Sequence, residues 1–188
     1  MMNLFASYVT NLFLKKEFIS IDQTEWCHYM VVHRTMNIVS FVILVPIGAL
    51  IVNWESSILF VSGYRFLRSR TGGYHAKTPM ACLLLSVLLQ IVVLPSIYIS
   101  FNPLTLIGVL LVSLPVIILL SPANNAEIHL TDYEIQAIKP RVLIRLLVIV
   151  ILIFLLFPLN ILYSKSLILS TAITALLLIV SRFGYGAQ

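Results

Sequence analysis

Charged residues are scarce in this chain, and their scarcity excludes an ordinary soluble domain. Lysine, arginine, aspartate and glutamate make up only 10% of the 188 residues, whereas hydrophobic residues make up 60%. Soluble globular domains usually carry about 25% charged residues. The mean hydropathy of +1.04 is equally high. The composition therefore predicts an integral protein of the cell membrane.

Cysteine and acidic residues are also few. The two cysteines, Cys27 and Cys82, allow at most one disulfide, which excludes a disulfide framework and favours free thiols facing a reducing compartment. Twelve basic residues exceed seven acidic ones, which gives a formal net charge of +5. In a membrane protein the placement of this charge reports orientation, and we expect no nucleic-acid partner.

Long apolar runs are what the sequence has instead. A helix needs about 20 apolar residues to cross a hydrocarbon core of roughly 30 Å. The runs predict spans at about 36–53, 79–100, 103–121, 142–162 and 166–181. A further segment, 55–67, would extend only about 20 Å as a helix at 1.5 Å per residue.

The basic residues decide whether segment 55–67 crosses the bilayer. If it crosses, every lysine and arginine except Lys165 lies on one side of the membrane. If it does not, the basic cluster at 65–77 lies outside, against the positive-inside rule. The sequence thus predicts an all-α, polytopic membrane protein with about six transmembrane helices and both termini in the cytoplasm. Lys165 and the loop SFNP then face outward.

The chain is interpreted as a single integral membrane domain, residues 1–188. Its first part, 1–34, is an amphipathic region, and the transmembrane helices occupy 35–182. Apolar side chains recur in the first part at spacings of three and four, which is typical of a helix lying in the membrane interface. They are Leu4, Phe5, Tyr8, Leu12 and Phe13.

A polar, glycine-rich stretch, RTGGYHAKTPMAC, interrupts the apolar runs. On one continuous helix His75 and Cys82 would stand about 10 Å apart along the axis, too far for proton exchange. Gly72 and Gly73 permit backbone conformations closed to other residues, and Pro79 suits the first position of a helix. We therefore expect a break between two helices, across which His75 folds back towards Cys82.

Such a break would give these residues the chemistry of a Cys-His peptidase. The nucleophilic thiolate is favoured near a helix N-terminus or a protonated imidazole. His75 would take the proton of Cys82 and later protonate a leaving amine. Arg68, Arg70 and Lys77 would hold a carboxylate or help to bind an oxyanion, as would backbone N–H groups beside the glycines.

Each of these residues also has an ordinary interpretation. A lone cysteine in an apolar helix usually packs, a loop histidine is usually hydrated, and a basic cluster is usually a topology signal. Cys27, His28 and His33 form a rival group, but three ligands without a second cluster are too few for a metal site. We expect neither a metal nor another cofactor.

The stretch RSRTGGYHAKTPMAC resembles the motif of the accessory gene regulator B (AgrB) family of bacterial membrane peptidases. An arginine, a GG-x-H element and a cysteine seven residues beyond the histidine follow in the family's order. The chain length, the amphipathic N-terminal region, the series of spans and the loop SPANN agree as well. One difference is that Ile128 and His129 stand about where the family often has a Lys-Pro or Arg-Pro pair.

The resemblance implies a cysteine endopeptidase that removes the C-terminal tail of a small amphipathic quorum-sensing propeptide. The enzyme would also help to close the autoinducing peptide into a thiolactone or lactone. By motif position, Cys82 is the nucleophile, His75 its base, and Arg68 and Gly73 are supporting residues. The expected partners are an AgrD-like propeptide, the lipid membrane and a second copy of the chain, with the active site at the cytoplasmic face.

Two other functions stay open. A small transporter or peptide exporter would need polar residues along a path at mid-membrane, for which Gln90, Ser113 and Asn160 are sparse candidates. A non-enzymatic scaffold would use the basic loop only to bind lipid or a partner. Trapping of a peptide acylated on Cys82 separates the enzyme from both.

Overall fold

The computed structural model describes residues 2–73, 79–123 and 131–183. Within these ranges the chain is all-helical and contains no strand, as the sequence predicts. The helices are α1 (Met2–Lys15), α2 (Thr24–Ala49), α3 (Trp54–Thr71), α4 (Pro79–Val93), α5 (Pro103–Leu120), α6 (Asp132–Leu156) and α7 (Ile161–Arg182). Short 3-10 helices, Ile21–Gln23 and Leu94–Tyr98, precede α2 and extend α4.

The chain divides into two compact units, Met1–Ile43 and Leu44–Gln188. In the first unit, α1 leaves Leu4, Phe5 and Tyr8 exposed, as expected for a helix with an apolar face turned to a membrane interface. The boundary that the sequence indicates between residues 34 and 35 falls inside α2. The stretch around Cys27 and the first predicted span are thus parts of one helix.

The starts of four helices are fixed by polar side chains at the N-cap. A helix leaves its first N–H groups without partners, and an asparagine or threonine side chain satisfies one of them. Asn53, Asn102, Thr131 and Asn160 accept hydrogen bonds from backbone N–H groups in the first turn of α3, α5, α6 and α7. Proline acts at both ends of α4, because Pro79 begins it and Pro95 lies in the 3-10 turn that replaces it.

The centre of the second unit is the pair α3 and α7, and it is lined by small and polar residues. A Cβ placed on Gly63 would lie 2.7 Å from Ser170 Oγ and 3.0 Å from a methyl carbon of Leu167. Ser166 and Thr174 are also buried on α7, each four residues from Ser170. Small residues at this spacing let helix backbones approach closely, as in membrane helix pairs.

The most apolar helices lie at the periphery. The most apolar window of α7 is 67% buried, whereas that of α5 is only 22% buried although its hydropathy is higher. Exposed side chains of α4 and α5 include Leu84, Leu88, Leu111 and Val112. A bilayer would cover these faces, because lipid tails are as apolar as leucine.

Contacts between the ends of helices show how α3 to α7 run. Arg145, near the middle of α6, donates hydrogen bonds to the Phe66 carbonyl and the Ser69 hydroxyl near the end of α3. At the opposite end, Lys165 donates to the carbonyls of Ile97 and Ile99, at 3.0 and 2.9 Å. The basic residues of α3 and α6 therefore share one end of the unit, and Lys165 lies at the other.

Lys165 corrects one expectation. The spans at 142–162 and 166–181 leave it in a loop, but α7 begins at Ile161 and the Lys165 side chain is only 6% exposed. The Asn160 cap starts the helix one turn earlier, and the two carbonyl groups solvate the ammonium.

Four stretches are long and apolar enough to cross a membrane, namely Ile21–Ala49, Met80–Tyr98, Pro103–Leu120 and Ile161–Arg182. The protein is therefore a membrane protein by length and composition. The two remaining predicted spans correspond to α3 and α6, which carry more charge. α3 has 18 residues, so it extends about 27 Å rather than 20 Å. Crossing by α3 and α6, and thus the count of six, stays a prediction.

Candidate active site

The glycine pair ends α3 as predicted. Gly72 has φ 70° and ψ −139°, and its N–H still bonds to the Arg68 carbonyl at 3.1 Å. Gly73 follows with φ 118°. Because side chains are strained at these angles, only glycine fits both positions well. The next helix, α4, begins at Pro79, so the predicted break between the two helices is confirmed.

The break also joins α3 to the segment that follows α5. Ala123 N–H donates to the Thr71 carbonyl at 2.8 Å, and a Cβ on Gly72 would lie 3.3 Å from the Ala123 side chain. Thr71 is fully buried. The end of α3 and Ala123 therefore lie side by side. Segments 74–78 and 124–130 follow these two points in the sequence.

Cys82 lies in the first turn of α4, as predicted, with a half-buried free thiol. It is the fourth residue of the helix, close to N–H groups that have no partner within the helix. His75 and Lys77 lie outside the described residues. The separation of His75 from Cys82 is therefore still a prediction, and so is the role of Lys77.

The side of α3 that faces Cys82 carries a tyrosine and arginines. The Tyr64 hydroxyl and the Arg65 guanidinium both lie within electrostatic range of Cys82. Arg68 donates a hydrogen bond to the Tyr64 hydroxyl, with its guanidinium carbon 5.4 Å from the centre of the tyrosine ring. Of the two arginines proposed from the motif, Arg68 is thus half-buried in this cluster, whereas Arg70 is exposed.

Tyr64 and Ser86 are site residues that the sequence interpretation missed. Tyr64 is 8% exposed and interacts with the Ser86 side chain. Ser86 Oγ in turn donates to the Cys82 carbonyl at 2.9 Å. The available signal was a pair of four-residue spacings, Tyr64 to Arg68 and Cys82 to Ser86, which place each pair on one helix face.

The members of the rival group, Cys27, His28 and His33, have separate surroundings in the structure. Cys27 is buried, His28 lies 3.4 Å from the Ser7 hydroxyl, and His33 pairs with Asn37 at 3.1 Å. Within the ranges 2–73, 79–123 and 131–183, no group of three or more potential metal ligands comes together. The burial of Cys27 is typical of a cysteine that packs inside the protein.

The polar residues proposed for a transport path have structural partners. Gln90 Nε2 donates to the Leu44 carbonyl at 2.9 Å, Ser113 donates to the Val109 carbonyl, and Asn160 caps α7. A cavity of about 10 Å³ lies beside Gln90, Ser86 and Tyr64. That volume accommodates about one water molecule.

Taken together, the fold and the site define a helical membrane protein with a free thiol at a helix start beside a basic cluster. The chain belongs to the accessory gene regulator B family, because the family model matches residues 6–180. Neither a curated protein nor a solved structure matches it. The family consists of peptidase-like proteins of quorum-sensing processing, so the chain has a role in the accessory gene regulator system. An AgrD-like propeptide is the partner that membership implies.

Proposed function

We propose that the protein is a membrane cysteine endopeptidase that cleaves the C-terminal tail of an AgrD-like propeptide and promotes its cyclisation. The observation that carries the proposal is the half-buried Cys82 thiol in the first turn of α4. The thiol lies on the helix that begins after the break at Gly72 and Gly73, within electrostatic range of Arg65 on α3. Family membership supports the same assignment.

The first step forms an acyl-enzyme. His75 takes the thiol proton, and the Cys82 sulfur attacks the carbonyl carbon of the scissile peptide bond. The C–N bond breaks, the amine of the departing tail takes the proton from His75, and the propeptide remains on Cys82 as a thioester. Arg68, Arg70 and Lys77, with N–H groups beside Gly72 and Gly73, supply positive charge and donors for the oxyanion.

The second step closes the ring. A thiol or hydroxyl inside the propeptide gives its proton to His75 and attacks the thioester carbonyl. The C–S bond breaks, the ring closes as a thiolactone or lactone, and Cys82 leaves as a thiolate. Because exchange between thioesters is nearly balanced in free energy, the internal nucleophile must be held close and water excluded.

The membrane provides the setting for both steps. An amphipathic propeptide helix would lie on the same interface as residues 1–34, where the exposed Leu4, Phe5 and Tyr8 of α1 offer apolar contact. The active site faces the cytoplasm, on the side of the basic residues. A second copy of the chain completes a homodimer, which light scattering of the purified protein in detergent tests.

The two cysteines offer a matched test of the nucleophile. Cys82→Ala should abolish tail release from a co-expressed propeptide, because the acyl-enzyme can no longer form. Cys27→Ala, which removes a buried thiol of the other unit, should retain tail release. Release is followed by mass spectrometry of the propeptide, with membrane levels of each variant measured alongside.

A trapped intermediate separates the peptidase from the other functions. The peptidase should carry a propeptide fragment acylated on Cys82, detected in peptides of the denatured protein, whereas a transporter or scaffold should not. His75→Ala should remove the adduct while leaving Cys82 in place. Tail release that survives Cys82→Ala and fails in Cys27→Ala would overturn the assignment.

A further inference from the structure

Tyr64 and Ser86 connect Arg68 of α3 to the backbone of Cys82 through two hydrogen bonds and a contact between their side chains. Arg68 has only donors, so the Tyr64 oxygen accepts its hydrogen bond and the Tyr64 proton points elsewhere. The Ser86 proton is already used on the Cys82 carbonyl. The Tyr64 side chain also interacts with the Ser86 side chain, and both residues line the same small cavity.

The guanidinium of Arg68, the two hydroxyls and the Cys82 carbonyl thus form one polar cluster between α3 and α4. Tyr64 is the member that connects α3 to α4. The tyrosine ring also stacks against Arg68, at 5.4 Å from the guanidinium carbon. Two contacts of different kind thus hold the same cation, and a hydrogen bond to a charged donor is stronger than a neutral one.

We propose that Tyr64 and Ser86 are positioning residues, which hold the Arg68 guanidinium beside the turn of α4 that carries Cys82. The inference rests on the proposed function only for the catalytic purpose of this arrangement. The contacts themselves exist whether or not Cys82 cleaves a peptide. In the peptidase, this charge would already be in place when negative charge develops on the substrate carbonyl. Preorganised charge stabilises a transition state without rearrangement during the reaction.

Among the described residues, Arg68 and Arg65 are the charged neighbours of Tyr64. Arg65 interacts electrostatically with Cys82 from the same helix. The α7 residues that pack with Tyr64, Ile173 and Leu177, are apolar and carry no charge. A change in the charge felt at Cys82 after substitution of Tyr64 would therefore report the position of these arginines.

Alkylation of Cys82 by two reagents of different charge tests the proposal without any propeptide. In a Cys27→Ala background Cys82 is the only thiol. Iodoacetate is an anion and iodoacetamide is neutral, so the ratio of their rates measures the positive charge near the sulfur. Tyr64→Phe keeps the ring but removes the hydroxyl, and it should lower this ratio about threefold, close to the value in Arg68→Gln.

Ser86 provides a second test, in which one substitution should remove the effect and a conservative one should restore it. Ser86→Ala should lower the ratio in the same direction, and Ser86→Thr, which keeps a hydroxyl, should restore it. Tyr133→Phe is the matched control, because Tyr133 is 82% exposed at the start of α6. An unchanged ratio in Tyr64→Phe and Ser86→Ala, or an equal change of both reagent rates, would overturn the proposal.

A double substitution shows whether Tyr64 acts through Arg68. If it does, Tyr64→Phe combined with Arg68→Gln should be no slower in tail release than Arg68→Gln alone, since coupled residues are not additive. Additive losses would contradict a positioning role. Tail release that persists in Cys82→Ala would remove the proposed peptidase and leave the alkylation result standing, so the two failures are distinguishable.

Discussion

A single methyl group at position 72 tests whether the helix break depends on glycine. The backbone angles of Gly72 strain any other residue, and an added Cβ would lie 3.3 Å from Ala123. Gly72→Ala should therefore lower the free energy of unfolding by about 1–3 kcal/mol. It should also reduce tail release, because the strain falls between Arg68 and Cys82. Thermal unfolding in detergent and the propeptide assay measure the two effects.

Gly108 is the matched control for that substitution. It is the sixth residue of α5, and a Cβ there would meet no atom within 4 Å. Gly108→Ala should leave stability unchanged or raise it slightly, since alanine favours helix over glycine by about 0.5–1 kcal/mol. Equal losses at positions 72 and 108 would contradict a special role for the backbone of Gly72.

At the residue scale, the sequence predicts those features that depend only on a residue and its neighbours in the chain. Gly72 and Gly73 end a helix, and Pro79 starts the next, because of their own backbone chemistry. The placement of Cys82 in a first turn follows directly. Tyr64 and Ser86 cannot be identified in this way. Their roles depend on the packing of α3 against α4, which no local pattern encodes.

At the scale of an element, Lys165 connects the start of α7 to the end of α4. Lys165→Met keeps the length of the side chain but removes the donor to the Ile97 and Ile99 carbonyls. A buried carbonyl that loses its donor is costly, so we expect the unfolding free energy to fall by about 1–3 kcal/mol. The melting temperature in detergent measures the loss.

Lys139→Met is the control for this element. Lys139 is exposed in the first half of α6, where its ammonium is free to stay in water. The substitution should change stability little. If Lys165→Met melts no earlier than Lys139→Met, the two hydrogen bonds do not hold the end of α4.

The boundaries of the elements show where hydropathy is insufficient. The predicted segment 55–67 ends just before Arg68, but α3 continues to Thr71. Its last turns are supported by Arg145 of α6, which bonds to the Phe66 carbonyl and the Ser69 hydroxyl. A cation near a helix C-terminus is favourable. Support from another helix cannot be inferred from the segment's own composition.

At the scale of the whole molecule, hydropathy predicts well which helices contact lipid. It predicts less well which helices contact each other. α5 is strongly apolar and mostly exposed, whereas α7 buries Ser166, Ser170 and Thr174 against its neighbours. In a bilayer, association depends on close packing and hydrogen bonds, because burial from lipid gives little hydrophobic gain. The all-helical membrane class was therefore predictable, but the central position of α3 and α7 was not.

The crossing of the membrane by α3 is the prediction on which the orientation of the site depends. If α3 and α4 both cross, Leu50 and Ser100 lie on the same side of the membrane, and Tyr133 lies on the other. Single cysteines at these exposed positions, in a chain lacking Cys27 and Cys82, report the side. A membrane-impermeant maleimide should label Leu50→Cys and Ser100→Cys in intact cells. Tyr133→Cys should react only after permeabilisation.

If α3 stays on one face, α4 begins outside, so Ser100→Cys would be protected and Tyr133→Cys labelled. That result would put Cys82 at the outer surface.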